Sequence, residues 1–358
     1  MLNGRFGNNM VDLRDFKGKK VFVTGHTGFK GSWLIAMLYQ LGAQVKGYAL
    51  EPLYSKELFD IIEGSRISDS IIADIKDQKR LESEISAFQP DFVFHLAAQS
   101  LVRESYTDPS ETFEVNVMGT SYLLQAVLKL VHPCTTIVIT TDKVYENKEK
   151  AIYYSENDVL GGYDPYSTSK ACAELVTSSF IRSFAAQSVH RFATARAGNV
   201  IGGGDFSKDR IIPDLIRSIE QNAPLELRNP GAIRPWQHVL EPLTGYLQLA
   251  LLTKSDYSLA HSYNFGPNEK DHLEVEELVK TAIAVVEKGS YLIKKTDDLH
   301  EANQLRLNIS AAKKDLNWFP RYNAEQAIQY TMEWYFSPDK KACTFRQINH
   351  YLDEVHKN

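Results

Sequence analysis

Lys20-Val-Phe-Val-Thr-Gly25-His-Thr-Gly28-Phe-Lys30-Gly31-Ser-Trp-Leu-Ile-Ala-Met-Leu-Tyr-Gln-Leu41 sets a short apolar run, spaced glycines and a long apolar segment in immediate succession. Lys20 to Thr24 reads as a buried strand, and Ser32 to Leu41 as a helix apolar on most faces. Glycines between a strand and a helix allow a tight turn. They also let the backbone approach a pyrophosphate, which the positive helix N-terminus attracts. A lone glycine pattern is weak, and an empty glycine-rich turn is the alternative; here position, spacing and the following helix agree. Gly25, Thr27, Gly28, Phe29, Lys30 and Gly31 are therefore the candidate cradle of a dinucleotide.

Working outward, Gln44–Leu50, Ser70–Ala73, Asp91–Leu96, Thr135–Thr141 and Arg191–Arg196 read as further strands. Leu81–Phe88, Thr112–Leu130 and Tyr166–Phe184 read as the helices between them. Such alternation predicts an α/β protein with a doubly wound parallel sheet whose ligands bind at its carboxyl edge. After about residue 198 the pattern loosens into a glycine loop and irregular pieces, with helices expected at Glu274–Val286 and Glu325–Tyr335. The expected organisation is a flexible lead-in (1–17), a nucleotide-binding domain (18–198) and a smaller C-terminal α/β cap (199–358). The chain has 358 residues and a net charge of -5, which gives bulk electrostatics no hold on nucleic acid. Cys134, Cys172 and Cys343 have no metal-ligand or disulfide spacing, so no metal site is expected and a reducing cytoplasm is. No stretch approaches the ~18 apolar residues of a membrane span.

The chemistry concentrates where the fifth strand ends. Thr141-Asp142-Lys143 is followed by Tyr166-Ser-Thr-Ser-Lys170, a phenol and an ammonium four residues apart and so on one helix face. A lysine beside a tyrosine favours the phenolate, which lets Tyr166 take a proton from a substrate hydroxyl near neutral pH. Hydride transfer alone needs Thr141, Tyr166 and Lys170. Asp142 and Lys143 are then surplus, and point to a second chemical step. The alternative is an ordinary ion pair at a strand end. Neighbours on a strand face opposite ways, so both reach one substrate only if the chain turns after Asp142.

The cofactor's ribose is less sharply marked. Glu51 lies where a carboxylate signals NAD, but Pro52 follows it, and Lys30 would equally greet a phosphate; the balance favours NAD. Asp74 suits either an adenine amino group or the cap of the next helix.

Together with Asp74-Ile-Lys-Asp77, His95-Leu-Ala-Ala98, Asn116-Val-Met-Gly-Thr120, Tyr263-Asn-Phe-Gly-Pro267 and Asn317-Trp-Phe-Pro320, these motifs resemble the extended short-chain dehydrogenase/reductase family over residues 17–336. Within it, Asp158-Val-Leu-Gly-Gly-Tyr-Asp-Pro-Tyr166, Arg196-Ala-Gly-Asn-Val-Ile-Gly-Gly-Gly-Asp205 and Arg228-Asn-Pro-Gly-Ala-Ile-Arg-Pro-Trp-Gln-His-Val-Leu-Glu-Pro242 look like the nucleotide-sugar 4,6-dehydratases. They are most similar to the branch acting on CDP-glucose. That family usually reads Thr-Asp-Glu where this chain has Thr141-Asp142-Lys143.

The resemblance implies a Rossmann-type sheet holding NAD and a cap holding a nucleotide-sugar. Asp74, Ile75, Leu96, Ala97 and Ala98 would join the glycine loop, Tyr166 and Lys170 around the cofactor. Ser100, Arg103, Asn199, Arg210 and Arg234 would meet the substrate, Asn199 as the family asparagine that contacts the sugar-diphosphate. The two later arginines would act as forks for a pyrophosphate, unless they are solvated surface residues. His238 is either a site residue or structural. In the implied reaction Thr141 binds O4 and Tyr166 takes its proton, while Lys170 holds the ribose. Lys143 is the base at C5, and a protonated Asp142 the acid at the C6 hydroxyl. The helices bearing Thr120–Lys129 and Lys170–Phe180 would pair into the four-helix bundle of a homodimer, and the product would feed deoxysugars of bacterial surface polysaccharides. Two other readings stay open: a nucleotide-sugar 4-epimerase, which has no use for Asp142 and Lys143, and a dinucleotide sensor without catalysis.

Overall fold

The computed structural model describes residues 11–54, 57–148, 150, 152–184, 187–294 and 305–357. Its centre is a seven-stranded parallel sheet of β1 (Lys20–Thr24), β2 (Gln44–Ala49), β3 (Asp69–Ile72), β4 (Phe92–His95), β5 (Thr135–Thr140), β6 (Arg191–Arg196) and β7 (Ser262–Asn264). The spatial order is β7-β6-β5-β4-β1-β2-β3. The order reverses between β4 and β1, and there the carboxyl ends of the strands open a crevice for a dinucleotide.

Side-chain alternation explains why this sheet is covered on both faces. Val21, Val23, Phe92, Phe94, Ile137 and Ile139 enter one core, while Phe22, Val93, Val138 and Phe192 enter the other. The first core is closed by α1 (Phe29–Gln40), the second by α2 (Gln78–Phe88), α3 (Gly119–Leu128) and α4 (Pro165–Phe184). In α1 every residue from Gly31 to Leu38 is buried, as its apolar faces demand. The later chain adds α5 (Ile211–Glu220), α6 (Leu240–Ser255), α7 (Val275–Val286), α8 (Ala324–Phe336) and α9 (Lys340–His356). Of these, α6 returns to the first core through Leu243, Tyr246 and Leu247. No helix among the described residues is long and apolar enough to cross a membrane.

Three features differ from expectation. The lead-in is not loose over its second half: Leu13 and Phe16 lie in a short 3-10 turn, fully buried, with the Phe16 ring 4.9 Å from that of Phe92. Residues 1–10 lie outside the described residues. The helix expected over Thr112–Leu130 is interrupted by a π turn, Glu114–Met118, after a helical turn at Pro109–Phe113. The turn aims Asn116 inward, where its Nδ2 donates to Ser169 Oγ on α4 (2.8 Å) and to the Gln99 carbonyl (3.0 Å). Finally, the last strand of the sheet comes from Ser262–Asn264, far beyond residue 198.

Candidate active site

The glycine loop closes against the crevice. Gly25, at the end of β1, has φ +72°, and a side chain there would come within 2.7 Å of the Ala97 amide. Only glycine permits that approach. Gly31 packs on the Gly25 carbonyl. Gly28 caps α1 at an exposed position where a Cβ would meet nothing closer than 3.5 Å. Protein packing does not require glycine at 28; a ligand drawn against the backbone does, and a Cβ would fill that cradle. The loop therefore fits a dinucleotide pyrophosphate. Thr27 anchors the loop by donating to the Leu50 carbonyl (2.9 Å), and Phe29 packs on the first core.

Around the crevice, Ala97 N donates to Thr24 Oγ1 (3.1 Å), with Leu96 and Ala98 on the same loop. Asp74 accepts from Lys76 N (2.9 Å), and the cap of α2 is Asp77, not Asp74. Ile75 is buried in the second core against Gly119. Glu51 is exposed beyond β2.

After Thr141 the chain does turn, in a 3-10 turn at Asp142–Val144. Thr141 and Lys143 line a cavity of about 900 Å³ together with Lys30, Ser100, Arg103, Tyr166, Asn199, Arg210 and Arg234. That volume suits a small-molecule site. Asp142 is fully buried behind this wall. Its Oδ1 accepts from Thr141 Oγ1 and its Oδ2 from Asn199 Nδ2, both at 2.9 Å.

α4 carries the other half. Asp164 starts it by accepting from Ser167 N (2.9 Å) and Oγ (2.6 Å). Tyr166, Lys170 and Glu174 follow at four-residue steps along the face turned to β5. Lys170 Nζ donates to the Ile139 carbonyl (2.8 Å); burial pushes its amine down to about 8, while Glu174 pulls the other way. Tyr166 departs from expectation. Burial pushes its phenol up to about 12, Thr141 and Arg210 pull it down, and Asp142 and Asp164 add to the rise. Desolvation of the anion wins because the Lys170 ammonium is directed to a carbonyl.

Lys30 turns into the cavity, where burial and then Arg210 press its amine down to about 7. Arg210 Nη1 donates to Asp205 (2.8 Å) and Nη2 reaches Ser100 Oγ (3.4 Å). Arg103 lies 3.6 Å from Asp209. Arg234 is buried and donates to the Ile233 carbonyl (3.1 Å). His238 stands apart from this group: it is buried among the rings of Trp33, Tyr322 and Tyr330, a structural position.

Sequence reasoning missed Glu174. Its carboxylate accepts from Thr140 Oγ1 (2.5 Å), Thr194 Oγ1 (2.7 Å) and Arg196 Nη2 (2.8 Å), wholly out of solvent. Its signal was the four-residue step from Lys170. Arg228, Asn229, Tyr163 and Lys208 also line the cavity without having been singled out.

Residues 22–331 match the GDP-mannose 4,6 dehydratase family model. The CDP-glucose 4,6-dehydratase of Salmonella typhimurium is 44% identical over 96% of this chain and 99% of its own length. The dTDP-glucose 4,6-dehydratase of Neisseria gonorrhoeae is 28% identical over 89% of this chain and 96% of its own. Among solved structures, dTDP-glucose 4,6-dehydratase from Bacillus anthracis in complex with NAD superposes with a TM-score of 0.75 at 22% identity, covering 92% of this chain and 100% of that one. UDP-glucose 4-epimerase from Thermotoga maritima with UDP-glucose superposes at 0.76 and 21%, covering 88% and 98%, so at this distance the likeness shows the fold alone. With its parallel sheet, glycine loop and Tyr166–Lys170 pair, the chain belongs to the nucleotide-sugar dehydratases of the extended short-chain dehydrogenase/reductase family.

Proposed function

We propose that the protein is an NAD-dependent hydro-lyase that converts CDP-D-glucose to CDP-4-dehydro-6-deoxy-D-glucose and water. One observation carries the reading: the turn at Asp142–Val144 brings Lys143 to the cavity wall with Thr141 and Tyr166 and sets the Asp142 carboxyl group directly behind it, hydrogen-bonded to Thr141. The cytidine base is supported by the 44% identical relative. In this reading the sheet and its crevice hold NAD. Arg210, Arg234 and the rest of the later chain hold the nucleotide-sugar, with Ser100 and Arg103 at the hexose end.

The C5 proton of a hexose is not acidic, and a ketone at C4 makes it so. Tyr166 takes the O4 proton, with Thr141 hydrogen-bonded to O4 and Lys170 on the ribose. The oxidised nicotinamide supplies, when bound, a positive charge beside the phenol and storage of the hydrogen taken from C4 until it returns at C6. Lys143 then removes the C5 proton while Asp142, behind the cavity wall, gives one to the departing C6 hydroxyl by way of the Thr141 hydroxyl with which it is hydrogen-bonded, releasing water. Lys143 returns its proton to C5 at the end, and the O4 proton held by Tyr166 makes good the one Asp142 gave up.

A homodimer through α3 and α4 goes with this reading, supported by Met118, just before α3, and Leu175 on α4, apolar side chains that are 42% and 56% exposed. Sedimentation at micromolar concentration tests it. The function is tested by incubating the protein and NAD with CDP-, dTDP-, GDP- and UDP-hexoses. A 4-keto-6-deoxy product from CDP-glucose is expected. An inverted hexose would mean epimerisation, and failure with CDP-glucose alone would overturn the base assignment.

A further inference from the structure

Asn199 stands in a conformation that few side chains adopt, and it touches a group that its family role does not explain. Its φ is +50°, in the left-handed region. Its Nδ2 donates to Asp142 Oδ2 at 2.9 Å, and its side chain also borders the cavity. The residue before it, Gly198, lies so close that any Cβ would run into the Asp142 carboxylate. Gln237 fixes this segment from behind: its Nε2 donates to the Gly198 carbonyl (3.3 Å) and the Phe265 carbonyl (2.9 Å), and its backbone N–H donates to the Asn199 carbonyl (3.3 Å). Val200–Ile201 then pair in parallel with Gln237–His238. The backbone is held, the glycine makes room, and the amide meets the carboxyl group.

We propose that Asn199 is a positioning residue for Asp142, holding its carboxyl group beside the catalytic turn in both protonation states. This rests on the dehydratase reading above. Asp142 faces two donors, Thr141 Oγ1 and Asn199 Nδ2, which is the arrangement a carboxylate accepts. An acid that is to protonate a leaving hydroxyl must also be held while it carries its proton. Asparagine is suited to that change, because its amide offers a donor on one side and an acceptor on the other. With the amide turned over, Oδ1 accepts the O–H of the acid, and no atom of the backbone needs to move. The bond to Asp142 uses one N–H of the amide, and loss of that bond is expected to act on the elimination more than on substrate affinity.

The test uses Asn199→Gly, which suits the left-handed backbone but lacks the amide, and Asn199→Asp, which keeps the shape but replaces the donor with a second carboxyl oxygen. Both are assayed in steady state and in single turnover with CDP-glucose and NAD. The expected result is a fall in kcat of about 10- to 100-fold with KM changed less than about threefold, since a residue that only orients the acid is worth less than the acid itself, at about 10²- to 10⁴-fold. Reduced nicotinamide should appear ahead of product, because C4 oxidation proceeds while elimination lags. A raised KM with kcat kept makes Asn199 a substrate ligand and overturns the inference. So does an equal slowing of oxidation and product formation in both variants. If the wild type dehydrates no nucleotide-hexose, the functional reading fails and takes this inference with it; a wild type that turns over CDP-glucose leaves the variants as a test of Asn199 alone.

Discussion

Replacing Glu174 by Gln removes a buried negative charge one helical turn from Lys170, and the cost to Lys170 can be worked out. Burial has already brought the Lys170 amine down to about 8 against the opposing pull of Glu174. Across about 6 Å at an effective dielectric constant of about 20, that pull is worth about 3 kcal/mol, or about two pKa units. Without Glu174, Lys170 would lose its proton near pH 6 (about two units below its present value) rather than near 8. Activity that needs the ammonium is present below the amine's pKa and lost as pH rises through it. The alkaline limb of kcat/KM should therefore move to lower pH by about two units. The single change also leaves Arg196 buried and unbalanced, which costs about 3–5 kcal/mol of stability. The double change Glu174→Gln with Arg196→Met removes both charges and recovers most of that loss while keeping the shifted limb. The measurement is the pH profile of product formation from CDP-glucose, alongside thermal unfolding. An alkaline limb that stays in place in the folded double variant refutes the electrostatic link, leaving Glu174 as mere packing.

Lys143→Ala should keep C4 oxidation but slow loss of the C6 hydroxyl by about 10²- to 10⁴-fold, seen as reduced nicotinamide without product; near wild-type elimination would remove Lys143 as the base. Gly198→Ala drives a methyl into the Asp142 carboxylate. It should cost about 1–3 kcal/mol of stability and lower kcat more than it raises KM, read from unfolding and steady-state kinetics. Glu241, buried on α6, accepts from Tyr322 N (2.6 Å), Arg321 N (2.9 Å) and Tyr351 Oη (2.6 Å), and burial raises its carboxyl to about 7. The native state thus keeps a proton that the unfolded chain releases near 4.5, so this stabilisation is full below 4.5 and is lost as pH rises to about 7. Thermal midpoints of Glu241→Gln should lack that descent, at most about 1.4 kcal/mol per pH unit, and parallel profiles for variant and wild type would refute it.

What could be read from the sequence were the elements whose local pattern and final environment agree. β1, β4 and β5 are continuous β-branched or aromatic runs because both faces are buried, and α1 is apolar throughout for the same reason. β7 was illegible as a strand: three residues carry no period, and Tyr263-Asn-Phe-Gly-Pro267 stood out only as a motif. The π turn at Glu114–Met118 escaped because its cause, Asn116 reaching Ser169, lies across the fold. At the site, Thr141, Lys143 and Tyr166 were named from residue type and Arg210 and Arg234 from the family resemblance, and all five meet around one cavity. The spacing of Tyr166 and Lys170 showed a shared face, but not that burial would outweigh the lysine's effect on the phenol. Nor could it show that Asp142 lies behind the wall with Asn199 as its partner, since that contact spans 57 residues of chain.

The late origin of β7 has a consequence for the chain as it is made. β6 pairs Thr194, Ala195 and Arg196 with Ser262, Tyr263 and Asn264. When residue 196 leaves the ribosome, β6 is an edge strand with free N–H and C=O groups, and it stays so until Asn264 emerges, on the order of 10 s later at ordinary synthesis speeds. Asn264 also receives the Tyr145 hydroxyl (2.6 Å) and donates to the Tyr154 carbonyl (2.9 Å), so the segment beside the catalytic turn waits for it too. The nascent nucleotide-binding half is therefore not a finished unit, and truncation near residue 198 would expose an aggregation-prone edge.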